Sequence, residues 1–279
     1  MKRSAVLVLW AAAGLLARPS AAQGTKLWTV SRYDEMERGQ AEGVAIRSDG
    51  RLQPGPAVSL LLQTPGNYVW AVAADAAGTV YAGMGGLAAG GAVVLRIGPS
   101  GKPSVPVFEG RELAVQALRT APDGTVYAAT SPDGKVYRLG ARPADATVVF
   151  DPSAMPEKPR YLWDIALAPN GKEIFVAAGA PAVVYRVPLA GPGKPQTAFR
   201  TADQHVRALL LAPGGTLWAG TDGAGVIYRF DTTAPAARPF AAYAAPRREI
   251  TALAMDPAGN LYAAGVGAHP AANAPQPGL

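Results

Sequence analysis

Five glycines punctuate this chain at nearly even intervals. Gly78, Gly124, Gly171, Gly215 and Gly259 are separated by 46, 47, 44 and 44 residues, and each sits in the same kind of phrase. Six residues before them stand Val72, Leu118, Ile165, Leu209 and Leu253, and just after them Tyr81, Tyr127, Phe175, Trp218 and Tyr262. A self-similar period of about 45 residues means that one supersecondary unit is repeated, each copy burying its apolar face against the next. No other feature restricts the fold as much.

Each period holds more than one hairpin. The stretch "APDGTVYAATSPDGKVYRL" (121–139) contains two Pro-Asp-Gly turns, each leading into a Val-Tyr pair. Comparable third runs are "VLRI" (94–97), "VYRV" (184–187) and "IYRF" (227–230), and a fourth run follows, centred on Phe108, Phe150, Phe199 or Tyr243. These runs are rich in Val, Tyr, Phe, Ile and Leu and lack helical spacing of apolar residues. Four short antiparallel strands, here a to d, with tight turns fill such a period. The spacing therefore predicts an all-β fold, a β-propeller of four-stranded blades. Ala71, Ala117, Ala208 and Ala252, with Asp164 in the same slot, fit the crowded innermost strand a.

The two ends set the blade count. "VAIR" (44–47) reads as a strand c and "AVSLLLQT" (57–64) as a strand d, while 250–266 supplies only strands a and b. Together they would close a ring of five blades and leave no open edge. "KLWTV" (26–30) as a further strand b, and a tail rich in Pro and Ala, point instead to a piece of a larger propeller whose functional residues lie in other blades.

Residues 1–22 read as a secretory signal peptide: a basic start with Lys2 and Arg3, an apolar run, and "SAA" before Gln23, with cleavage after Ala22. That places the mature chain outside the cytoplasm, secreted or periplasmic, with no membrane span left after cleavage. The alternative is an uncleaved membrane anchor, for which the apolar run is shorter than the roughly 20 residues that span a bilayer. The expected organisation is signal peptide 1–22, propeller 23–266 and low-complexity tail 267–279. Lys2, Arg3 and Arg18 leave with the signal, so 26 Lys+Arg become 23 against 20 Asp+Glu, and the net charge falls from +6 to +3. Without a dense basic block, nucleic acid is not an expected partner. There is no cysteine, so packing must stabilise a chain that could have carried disulfides. Only His205 and His269 are present, which argues against zinc or copper, and no cofactor is expected.

The run "EGVAIRSDGRLQPGP" with "YVWAVAADAAGTVYAG", "TSPDGKVYRL" and "YLWDIALAPNG" resembles secreted bacterial WD40-like or NHL-like propeller proteins over roughly residues 26–266. The chain departs from true WD40 blades, since its single Trp163–Asp164 pair opens a strand a. It also shows no evident set of metal-binding carboxylates of the gluconolactonase type. The resemblance implies the fold and export, and little about activity.

Several tempting features read as structure. The strand c arginines Arg96, Arg138, Arg186 and Arg229 lie far from the axis and suit pairing with a neighbouring blade. Asp123, Asp133 and Asn170 precede turn glycines, where such side chains bond their own backbone. The glycine-rich "GMGGLAAGG" (83–91) lacks the Lys-Ser/Thr ending of a phosphate loop.

The start of strand a is different. Ten and eight residues before each turn glycine stand Tyr68/Trp70, Ala114/Gln116, Tyr161/Trp163, His205/Arg207 and Glu249/Thr251, always around an apolar residue. In propellers this end borders the channel mouth, where loops on a rigid scaffold carry function. The candidate ligand-binding residues are therefore Tyr68, Trp70, Gln116, Tyr161, Trp163, Asp164, His205, Arg207 and Glu249. Aromatic rings with a few polar groups suit a protein, peptide or glycan ligand. The blander reading is that the aromatics fill space between blades and the polar groups line a wet channel. No nucleophile motif occurs. The expectation is a monomeric binding or interaction module. The alternative is a hydrolase or lyase working through carboxylates such as Asp164 and Glu249, with calcium as a conceivable helper.

Overall fold

A computed structural model of the chain describes residues 29–268, apart from 57, 67, 86–89, 103 and 235–236. The proposed signal segment, most of the "KLWTV" run, His269 and most of the tail lie outside the described residues. The chain divides into two units, Met1–Leu60 and Leu61–Leu279.

The first unit carries a short helix, α1 (Tyr33–Met36), and a hairpin of β1 (Val44–Ile46) and β2 (Leu52–Pro54). Here the structure differs from the expected c–d pair. β1 does form, yet its partner is Leu52–Pro54, with Val44 opposite Pro54 and Ile46 opposite Leu52. Residues 58–64 form no strand. The local turn explains this: Gly50 has φ +79°, and Asp49 Oδ1 accepts the Arg51 N–H at 3.1 Å. Such turn chemistry closes a hairpin at once, and Pro54 and Pro56 oppose its extension.

The second unit repeats one antiparallel blade four times. Blade I comprises β3 (Tyr68–Ala74), β4 (Val80–Gly85), β5 (Ala92–Ile97) and β6 (Ser104–Gly110). Blade II is β7 (Ala114–Thr120), β8 (Val126–Ser131), β9 (Val136–Leu139) and β10 (Thr147–Phe150). Blade III is β11 (Tyr161–Leu167), β12 (Glu173–Gly179), β13 (Val183–Pro188) and β14 (Gln196–Arg200). Blade IV is β15 (His205–Leu211), β16 (Thr216–Asp222), β17 (Val226–Asp231) and β18 (Phe240–Ala244). A final a–b hairpin follows, β19 (Arg247–Met255) with β20 (Leu261–Ala268).

The repeated glycines close the a–b turns, with φ between 67° and 86°, a region costly for any residue with a Cβ. Asx side chains brace most of these turns: Asp75, Asp123, Asn170 and Asp256 each accept a backbone N–H. Cores form between successive blades. Val94 and Phe108 of blade I meet Leu118 and Ala128 of blade II. Phe150 meets Ile165 and Tyr185 across the next joint, and Phe175 and Phe199 meet Leu209 and Phe230 across the one after. The end of strand b pairs with the start of the next strand a at Gly85–Ala114, Gly179–His205 and Asp222–Glu249. That single rung ties the starts of β7, β15 and β19 to the ends of the preceding b strands.

Candidate ligand site at the strand a starts

A β-bulge recurs at one position in all five a strands. The ladder skips Trp70, Gln116, Trp163, Arg207 and Thr251, each of which lies between an apolar rung and the next paired residue. A bulge frees one residue from pairing and re-aims the strand locally. Residues i and i+2 of a strand share a face, and in blades I and III the two members of the pair lie together there, Tyr68 with Trp70 and Tyr161 with Trp163.

Blades I to III thereby frame a cleft of about 410 Å³. One wall is Tyr68 with Trp70, ring centroids 5.6 Å apart and tilted by 37°. The opposite wall is Tyr161 with Trp163, stacked at 5.2 Å and 15°. Gln116, Leu113 and Pro132 lie between the walls, with Ala114 and Ser131. Tyr68 and Trp70 are 61% and 52% exposed, so their apolar surface meets solvent.

Behind the second wall the polar residues hold it in place. Trp163 Nε1–H donates to His205 Nδ1 at 3.0 Å, so the neutral imidazole keeps its own proton on Nε2. Burial lowers the His205 pKa below its usual value; Arg207 adds to the shift, while Asp222 and Glu249 oppose it. The Arg207 guanidinium lies 3.7 Å over the Trp163 ring, and its Nε–H donates to Glu249 Oε1 at 2.7 Å. Gly179 makes this meeting possible, because a Cβ there would collide with His205 Nδ1 and the Trp163 indole nitrogen. Sequence reasoning missed Gly179; its signal was the run of small residues Gly85, Ser131 and Gly179 seven or eight positions after the turn glycines.

Asp164 faces elsewhere. Only 8% exposed, it sits in the joint between strands a, ion-paired with Arg119 of blade II. Its Oδ1 also accepts the Ile165 N–H and its Oδ2 the Leu209 N–H of blade IV, both at 2.8 Å. Burial pushes its carboxyl up, against the pull of the guanidinium and the two N–H donors. Of the nine candidates, five line the cleft, three brace its wall and Asp164 ties three blades together.

A larger cleft of about 610 Å³ lies around Glu173 and Arg186, between blades III and IV. There Arg186 donates to Glu173 at 2.6 and 2.9 Å and to the Thr232 carbonyl at 3.2 Å, so the polar groups satisfy one another. Among the described residues no group of three or more His, Cys, Asp or Glu gathers as a metal site, and no helix is long and apolar enough to cross a membrane.

No protein-family model matches this chain, and no curated protein matches it. Solved structures do. A nidogen/laminin complex chain superposes with a TM-score of 0.57 at 12% identity, over 80% of each chain. A virginiamycin B lyase from Staphylococcus aureus gives 0.57 at 15% identity, over 75% of this chain and 66% of that one. A luciferin-regenerating enzyme gives 0.50 at 12% identity, over 70% and 69%. At such identities the likeness is one of fold, and the fold is the β-propeller.

Proposed function

We propose that this chain is an exported, non-catalytic β-propeller module that binds a peptide, protein segment or glycan in the aromatic cleft of blades I to III. The observation that carries the reading is the pair of aromatic walls, one exposed and one locked from behind by His205, Arg207 and Glu249. Exposed aromatic pairs beside a fixed wall supply apolar contact at low ordering cost. The enzyme alternative asks for an acid and a base free to act. Asp164 is engaged by Arg119 and two backbone N–H groups, and Glu249 by Arg207. The neighbours in fold include enzymes and a chain from a protein–protein complex, so the fold favours neither reading.

The test is a titration of the full chain with chito- and cello-oligosaccharides and with peptides rich in Pro or aromatic residues, read by tryptophan emission. Tyr68→Ala/Trp70→Ala should weaken binding by at least about tenfold and move stability by less than about 0.5 kcal/mol, as expected of exposed side chains. Binding that survives the double substitution, or no binder in the panel, would overturn the reading.

A further inference from the structure

In blades I to IV strand b pairs with strand a on one side and strand c on the other. Among the described residues β20, the fifth strand b, pairs with β19 alone. Its other edge is a row of backbone donors and acceptors that can template a further strand. The other blades say which strand would suit it. In blade II Val136, Tyr137, Arg138 and Leu139 stand opposite Ala129, Ala128, Tyr127 and Val126. Blades III and IV keep that register with "VYRV" (184–187) and "IYRF" (227–230). Carried to β20, it sets an aliphatic residue, Tyr, Arg and an apolar residue opposite Ala264, Ala263, Tyr262 and Leu261.

The side chains agree with the register. At each earlier joint the strand d aromatic packs on strand c of the next blade. Phe108 meets Tyr137 with ring centroids 4.7 Å apart, Phe150 meets Tyr185 at 5.1 Å, and Phe199 meets Phe230 at 5.0 Å. Tyr243 is the strand d aromatic of blade IV, and it is exposed. Beside it lies an apolar cleft of about 460 Å³, lined by Trp218, Ile227, Ala242, Leu261 and Ala263 as well. Leu261 and Ala263 are the two rungs that the register sets opposite apolar and Tyr side chains. The buried Trp218 Nε1–H has no acceptor among the described residues. The third rung favours a cation: Tyr262 OH donates to Asp256 Oδ2 at 3.2 Å, so a carboxylate stands at the ring. In blade III the corresponding Arg186 guanidinium lies 5.8 Å over the Phe175 ring.

A second copy of the chain has no such run to lend, because each of the four strand c runs is paired on both edges. "VAIR" (44–47) is bonded to β2 and has Ile46 where the pattern has Tyr. We infer that β20 takes up, as an added antiparallel strand, an extended segment of another protein with the pattern Val/Ile-Tyr-Arg-apolar. Its Tyr seats on Ala263 against Tyr243, and its Arg lies over Tyr262 beside Asp256. Backbone pairing supplies affinity and the alternate side chains supply specificity. No residue of this surface lines the aromatic cleft of blades I to III, so the inference stands or falls apart from the reading of that cleft.

The experiment titrates the full chain with the fluorescently labelled synthetic peptide DGKVYRLGA, the sequence of residues 133–141, read by anisotropy. The peptide should bind saturably. Replacing its Tyr by Ser, or its Arg by Glu, should weaken binding at least about tenfold. In the protein, Tyr243→Ala should do the same while moving Tm by less than about 2 °C, as expected of an exposed side chain. Tyr68→Ala/Trp70→Ala should leave the peptide's affinity unchanged. No saturable binding, equal binding of a scrambled peptide, or binding indifferent to Tyr243→Ala overturns the inference. So does a dimer that the peptide dissociates, which would put a second copy on the edge. Binding that emerges only in Ile46→Asp overturns it too, because the chain's own hairpin would then be the occupant.

Discussion

Asp164 occupies a slot that is Ala in the other four repeats, and in the sequence that oddity suggests chemistry. In the structure its carboxylate spans strand a of three blades, from Arg119 to the Leu209 N–H. Asp164→Ala strands two buried N–H donors and should destabilise the chain by about 2–4 kcal/mol, measured by urea unfolding. Because Arg119 is partly exposed, Arg119→Ala should cost less. A near-neutral Asp164→Ala would mean that the joint does not depend on the carboxylate.

His205 sets a pH dependence at the same scale. Its folded-state pKa lies below the ordinary value, so the unfolded chain binds the proton more readily. The stability due to this group is whole above about pH 6.5 and is lost as pH falls from there through the folded pKa. Protonation at Nδ1 also removes the acceptor of the Trp163 indole N–H. Native chain and His205→Gln, unfolded at pH 7.5 and pH 5, should differ in this sense: the native chain loses more stability on acidification. An equal loss would show that His205 keeps its ordinary pKa.

At the scale of elements, the repeated Tyr of strand c has a second task beyond core packing. Tyr137 OH donates to Glu112 at 2.7 Å, Tyr185 OH to Glu157 at 3.3 Å and Tyr228 OH to Asp203 at 3.5 Å. In each case an acid of the d–a loop is tethered to the third strand of its own blade, which fixes the entry to strand a. Blade I has Leu95 at the corresponding place. Tyr137→Phe should cost about 0.5–1.5 kcal/mol, while Leu95→Tyr gains no such acid partner; thermal unfolding of both variants checks the difference. The "VYR" repeat was legible as a strand, and its acids were not, because they lie 25 to 28 residues upstream in loops of unlike sequence. The bulge was likewise invisible: the pairs Tyr68/Trp70 and Tyr161/Trp163 are periodic in the sequence, whereas a skipped rung is a property of two strands.

For the propeller unit as a whole, one repeat position has two fates. Val72 and Leu118 both stand six residues before a turn glycine, yet Val72 is 61% exposed and Leu118 only 1%. Leu118 faces the core between blades I and II. Val72 lies on the outer face of blade I, as Phe240, Tyr243 and Tyr262 do towards the other end of the unit. Leu118→Ala should therefore cost about 2–5 kcal/mol, whereas Val72→Ala should stay within about 0.5 kcal/mol. Comparable losses at the two sites in chemical denaturation would mean that the outer face of blade I is covered in solution.

The sequence by itself determined the period, the four strands of each blade, the glycine turns and the face that carries the aromatic pairs. These follow from backbone dihedrals and alternation over a few residues, which local sequence dictates. It also singled out the five residues that line the cleft. Only the tertiary structure decided that Asp164 is a joint, that His205, Arg207 and Glu249 brace Trp163, and that Gly179 leaves room for them. It likewise replaced the expected strand at 57–64 with the hairpin at 44–54. Each of these depends on which groups meet across blades or compete for one partner, and such long-range pairing leaves no periodic mark in a single chain.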